Sequence, residues 1–108
     1  MKTLRLDLYL VDTLMPDLTG HDRRPSAFLV YLYLWRRAAE RRWRPVEVSL
    51  ATIAADVGLS KSAVQTALRL LKRRLLVRAA QSTPTAVPEY TVERPWIRRR
   101  KATRRRSS

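Results

Sequence analysis

The first ten residues alternate in character. Leu4, Leu6, Leu8 and Leu10 take turns with Thr3, Arg5, Asp7 and Tyr9, and this period of two predicts a half-buried strand. Turn-forming residues from Met15 to Gly20, among them Pro16 and Asp17, predict that it ends there. Pro25 and Ser26 then open a run with helical spacing to about Arg42. Phe28, Leu32, Trp35 and Ala39 fall at i, i+4, i+7 and i+11, one stripe of a helix. Residues 28–35 are nonetheless apolar or aromatic all round, so Leu29, Val30, Tyr33 and Leu34 call for a second cover. The expected cover is the N-terminal strand or a second copy of the chain. Arg36, Arg37, Glu40 and Arg41 give the last turns a solvated back face.

Trp43-Arg44-Pro45 closes this helix, and Val46-Glu47-Val48 predicts a short strand. Ser49 suits the N-cap of a helix from Leu50 to Val57. Gly58 suits a tight turn, because positive φ costs glycine little. Ser60 suits the N-cap of a third helix, to about Arg74. Val77–Gln81 and Glu89–Arg94 predict a hairpin, with Ser82–Pro88 as its loop.

Residues 49–77 (SLATIAADVGLSKSAVQTALRLLKRRLLV) carry the most specific pattern. Ala54 is small where a second helix crosses closely, and Gly58 stands four residues later at the turn. Ile53, Val57, Val64 and Leu68 are placed to fill the wedge between the two helices. With these residues in this order, the chain resembles the winged helix-turn-helix DNA-binding domains of bacterial regulators, particularly the GntR and MarR types. It is also similar to small helix-turn-helix proteins of plasmids and other mobile elements. The resemblance covers roughly residues 25–96, and Glu89-Tyr90-Thr91-Val92 is similar to a second wing strand. It implies a mainly α fold of three helices with a small β-hairpin wing, two to three short strands in all, beside the extra N-terminal strand. It also implies that the helix from Ser60 lies in the DNA major groove. Two departures stand out. Leu75 occupies a position where these families commonly place Gly, which predicts a different geometry at that helix end. The wing tip, residues 82–86, holds no Lys or Arg.

On a helical wheel Val64, Ala67, Leu68, Leu71 and Leu75 form an apolar arc, the expected core. Ser62, Gln65, Thr66, Arg69 and Arg73 lie opposite, with Lys61 at the exposed first turn. A recognition helix presents its N-terminal residues to base edges. Gln65 suits adenine, and Arg69 suits guanine or a phosphate. Thr66 suits a phosphate or a thymine methyl. Ser60, Lys61 and Ser62 sit where the helix dipole favours a phosphate. Lys72, Arg73 and Arg74 lie farther along and are expected to hold the backbone. Arg78, on the first wing strand, and Arg98, Arg99 and Arg100, in the tail, complete the expected DNA contacts.

Charge agrees with this reading. The chain has 108 residues, with 23 Lys and Arg against 9 Asp and Glu, a net charge of +14. A pI near 11.6 favours a polyanionic partner. Residues 1–22 are the exception, with two basic and four acidic side chains, whereas residues 97–108 hold seven basic ones and no acid. That tail is expected to be disordered when free and to track a DNA backbone.

Other chemistry finds little support. Cysteine is absent and His21 is the single histidine, so no metal or cofactor site is expected. Asp7, Asp12, Asp17 and Asp22 are expected as solvated carboxylates, Trp35 as core, and Trp43 and Trp96 as packing near element ends. No catalytic triad or carboxylate pair can be assembled, so an enzyme with a small-molecule substrate is not expected. The N-terminus lacks a signal peptide's apolar run and no apolar stretch is long enough to span a bilayer, so the expected location is the cytoplasm, on the nucleoid. The predicted organisation is a strand and loop at 1–24, a winged helix-turn-helix at 25–96 and a basic tail at 97–108. The expected partner is double-stranded DNA bound in sequence-specific fashion as a transcriptional regulator, with homodimerisation through residues 1–35. The competing expectation is an architectural or replication-associated nucleic-acid binder with little sequence choice.

Overall fold

The computed structural model of the chain describes residues 1–97. An N-terminal helical segment precedes α1 (Pro25–Glu40), β1 (Val46–Glu47), α2 (Leu50–Val57), α3 (Lys61–Arg73), β2 (Val77–Ala80) and β3 (Glu89–Val92). The strands form one antiparallel sheet in the order β1-β3-β2. Val46 lies opposite Tyr90, Val77 opposite Val92 and Ala80 opposite Glu89.

Local chemistry explains the boundaries. Pro25 sits in the first turn of α1, where a missing N–H costs nothing. Ser49 Oγ accepts the Thr52 N–H and Ser60 Oγ the Ala63 N–H, each at 3.1 Å, so both expected serine caps are made. Gly58 has φ 84° and turns the chain between α2 and α3. The core joins Ala27, Val30, Tyr31, Leu34, Trp35 and Ala38 of α1 to Val64, Ala67, Leu68 and Leu71 of α3. Ile53 and Ala54 fill the wedge from α2.

The N-terminal segment departs from the expected strand. It is irregular through Asp7 and then winds helically through His21, with five-residue π-type turns at Leu10–Leu14 and Asp17–His21. Leu10, Leu14 and Leu18, four apart, are buried in the core cluster, while Leu4, Leu6 and Leu8 remain exposed. A strand needs a hydrogen-bonded neighbour, and this segment finds none in the sheet. Winding instead buries three leucines, each contributing about 1.5–3 kcal/mol. Val30 and Leu34 of α1 are thereby covered within one chain, and Leu29 stays exposed.

Polar contacts tie the segment down. Arg74, at the end of α3, pairs with Asp17 and, at 3.5 Å, with Asp22. Two of the four aspartates expected to be solvated are therefore ion-paired, and a third, Asp7, accepts a hydrogen bond from Trp96 Nε1 at 2.9 Å. Trp35 Nε1 donates to the Arg5 carbonyl at 2.9 Å, and Tyr9 stacks on Trp96 with centroids 4.4 Å apart. Trp35 meets Trp43 edge-on at 4.7 Å, and the Arg94 guanidinium lies 3.8 Å from the Trp43 ring centroid. The three tryptophans are packing residues, as expected. Tyr31 donates to the Glu93 carbonyl at 2.9 Å, and burial pushes its phenol well above the ordinary tyrosine value.

The end of α3 corrects two expectations. Leu75 does take the left-handed conformation, with φ 59°. The Leu75 N–H reaches the Lys72 carbonyl at 3.0 Å and the Leu76 N–H reaches Leu71 at 2.9 Å, a Schellman closure without glycine. Leu75 is also 71% exposed, so it is not core; Leu70 and Leu76 are buried instead. The left-handed conformation costs a residue with a Cβ about 1–2 kcal/mol. Leu75→Gly is therefore expected to raise stability by about 0.5–1 kcal/mol, after allowing for the freer unfolded chain. Urea denaturation checks this as a higher midpoint at constant slope; a lower midpoint would mean that the leucine side chain contributes more than its backbone costs.

Candidate nucleic-acid interface

α3 and the hairpin enclose an open groove of about 760 Å³. Along α3 it is lined by Lys61, Gln65, Leu68, Arg69 and Lys72. These fall at i, i+4, i+7, i+8 and i+11, so one helix stripe faces the hairpin. Ser49, Leu50 and Ala51 at the start of α2 form a second side, and Ala79, Ala80 and Gln81 with Tyr90 form the third. Burial raises the Tyr90 phenol above its ordinary value. No acidic residue lines the groove.

The expected contact residues separate into groups. Lys61, Gln65 and Arg69 meet in the groove and are exposed. Ser62, Thr66 and Arg73 lie about a quarter turn farther round α3. Thr66 Oγ1 there donates to the Ser62 carbonyl at 3.0 Å, and the Ser60 and Ser62 hydroxyls lie 3.3 Å apart. Arg69 sits at the seam between the two stripes. Arg78 stands apart: it does not line the groove, and its largely exposed guanidinium bonds the Glu93 carboxylate. Arg74 is likewise engaged by Asp17 and Asp22 rather than directed outward. Arg98, Arg99 and Arg100 lie outside the described residues.

Lys72, expected to hold the backbone, lines the groove as well. The start of α2 and residues Gln81 and Tyr90 were not anticipated as lining. The i+11 spacing from Lys61 was the available signal for Lys72. The other lining positions follow from how the hairpin packs, which spacing within one element does not reveal. Among the described residues no cluster of His, Asp and Glu could hold a metal ion, and no helix is long and apolar enough to cross a membrane.

Three helices, a short strand between the first two and a hairpin after the third define a winged helix-turn-helix, a DNA-binding class of domain. A family model described as a helix-turn-helix domain matches residues 24–77, half of the chain, and the protein belongs to that family. No curated protein and no solved structure matches the chain.

Proposed function

We propose that the protein binds a specific double-stranded DNA site and acts as a transcriptional regulator, with α3 in the major groove. The observation carrying this reading is the acid-free groove that gathers Lys61, Gln65, Arg69 and Lys72 beside the wing. A major groove about 12 Å wide admits one α-helix, and the amide of Gln65 and the guanidinium of Arg69 match the donor and acceptor patterns of adenine and guanine. Lys61 and Lys72, at the two ends of the stripe, suit flanking phosphates. In this reading the basic tail, including Arg98, Arg99 and Arg100, adds contacts to the backbone only. Pairing of two copies through residues 1–35 would set two such helices on a two-fold site. Exposed Leu8, Val11, Met15 and Leu29 support that pairing.

Selection of bound fragments from random DNA tests the reading. The expected result is an enriched site preferred by about 10³-fold or more over random DNA. Its symmetry and half-site spacing report the dimer, and a single unrepeated half-site removes the dimer. A pool without consensus would instead favour an architectural binder with little sequence choice, the reading that the high net charge alone supports.

A further inference from the structure

A second cationic groove lies at the opposite end of the sheet. The wing loop joins the Ala80 end of β2 to the Glu89 end of β3, and β1 runs toward that same end, since Glu47 lies opposite Glu89. Arg44 and Trp43 precede β1, and Arg94 follows β3, so all three stand at the far end. There, Lys2, Arg5, Arg36 and Arg94 line a depression of about 940 Å³ together with Asp7 and Glu40. Glu40 is engaged by Arg36 at 3.1 Å, and Asp7 accepts from Trp96. Among the described residues, no carboxylate lies within ion-pair distance of Lys2, Arg5 or Arg94. The exit turn of α1 adds exposed Arg41, Arg42 and Arg44.

From Tyr90, which lines the first groove, to Arg94, which lines the second, the chain advances about 13 Å at the usual strand rise. This exceeds the screening length of about 8 Å at physiological salt, so the two cationic surfaces act as separate sites. We infer that the far groove is a second phosphate-backbone site, which lets one molecule hold a second DNA duplex while α3 occupies the first. The inference rests on the proposed DNA binding by α3. A duplex fits better than an acidic peptide because the positive charge extends over an open groove and the adjoining turn. Guanidinium groups, which match phosphate oxygens in pairs, predominate in it.

The test uses the full chain and two short duplexes, one immobilised on beads and one fluorescent and free. The variant Lys2→Glu/Arg5→Glu/Arg44→Glu leaves the Arg36–Glu40 pair and the Arg94–Trp43 stack untouched. Its affinity for a single duplex is expected to stay within about twofold, while capture of the second duplex falls at least tenfold. Each lost phosphate contact also lowers the salt slope of capture by about 0.9. The inference is overturned if the wild type captures no second duplex, or if the variant captures as much as the wild type, as bridging by a dimer or by the tail would give. It is overturned equally if an acidic peptide, and not the duplex, binds the wild type and is lost in the variant. A parallel variant, Lys61→Glu/Arg69→Glu, isolates the first site: undiminished single-duplex affinity there removes DNA binding by α3, independently of bridging.

Discussion

Arg69→Ala and Gln65→Ala are each expected to weaken binding to the selected DNA site by about 10- to 100-fold. A bidentate contact to a base edge is worth about 1–3 kcal/mol of discrimination, and each of these side chains suits one such contact. Both are exposed on α3, and substitution at exposed positions without special contacts usually moves stability by no more than about 0.5 kcal/mol. A large loss of affinity would therefore reflect recognition rather than unfolding, and a matched thermal denaturation checks that directly. The pattern across sequences carries more information than the size of the loss. Gln65→Ala and Arg69→Ala should relax the preference at one base each. Lys72→Ala should weaken all sequences alike and lower the salt slope by about 0.9, as a phosphate contact does. If all three variants weakened random and selected DNA equally, α3 would be gripping backbone only and sequence-specific recognition by it would be lost. If none changed affinity, the groove would not be the DNA site.

The helix-turn-helix was legible because its signals are local and agree with one another. Ser49 and Ser60 cap, Gly58 turns, and small Ala54 permits the close crossing, each within a few residues of where it acts. The N-terminal segment is ambiguous in sequence because two patterns overlap there. Leu4, Leu6, Leu8 and Leu10 alternate, but Leu10, Leu14 and Leu18 also recur every four residues, and the second pattern is the one that packs on α1. Choosing between them requires knowing whether a strand neighbour exists, which is a property of the sheet. Pro16 and Gly20 looked like breakers, yet Pro16 sits just before the second π-type turn and Gly20 lies inside it. At the groove, the residue types were readable from α3 alone. Which stripe faces the wing depends on the packing of a hairpin, and the pairing of Arg74 and Arg78 depends on distant Asp17, Asp22 and Glu93.

Trp35→Ala is expected to be the most damaging single truncation in the described chain, costing about 3–5 kcal/mol. Trp35 is 1% exposed, and its indole touches three parts of the fold. It packs edge-on against Trp43 at the exit of α1, lies over Trp96 at 6.3 Å after β3, and donates to the Arg5 carbonyl in the N-terminal segment. Domains of this size have total stabilities of about 5–15 kcal/mol, so the loss is a large fraction of the whole. Trp35→Phe separates the contributions. It keeps most of the buried area but removes the Nε1 donor and with it the half-buried bond to the Arg5 carbonyl, a cost of about 0.5–1.5 kcal/mol. If residues 1–22 are integral to the domain, both variants should lower the urea midpoint and should also increase amide exchange at Leu10, Leu14 and Leu18. Exchange at those leucines that stayed unchanged while α1 was destabilised would show that the segment is held by Arg74 and Trp96 rather than by the indole. Because backbone bonds from Arg74, Leu75 and Leu76 close α3 without the segment, loosening the segment should leave the recognition helix in place, and DNA affinity in Trp35→Phe should fall less than about twofold.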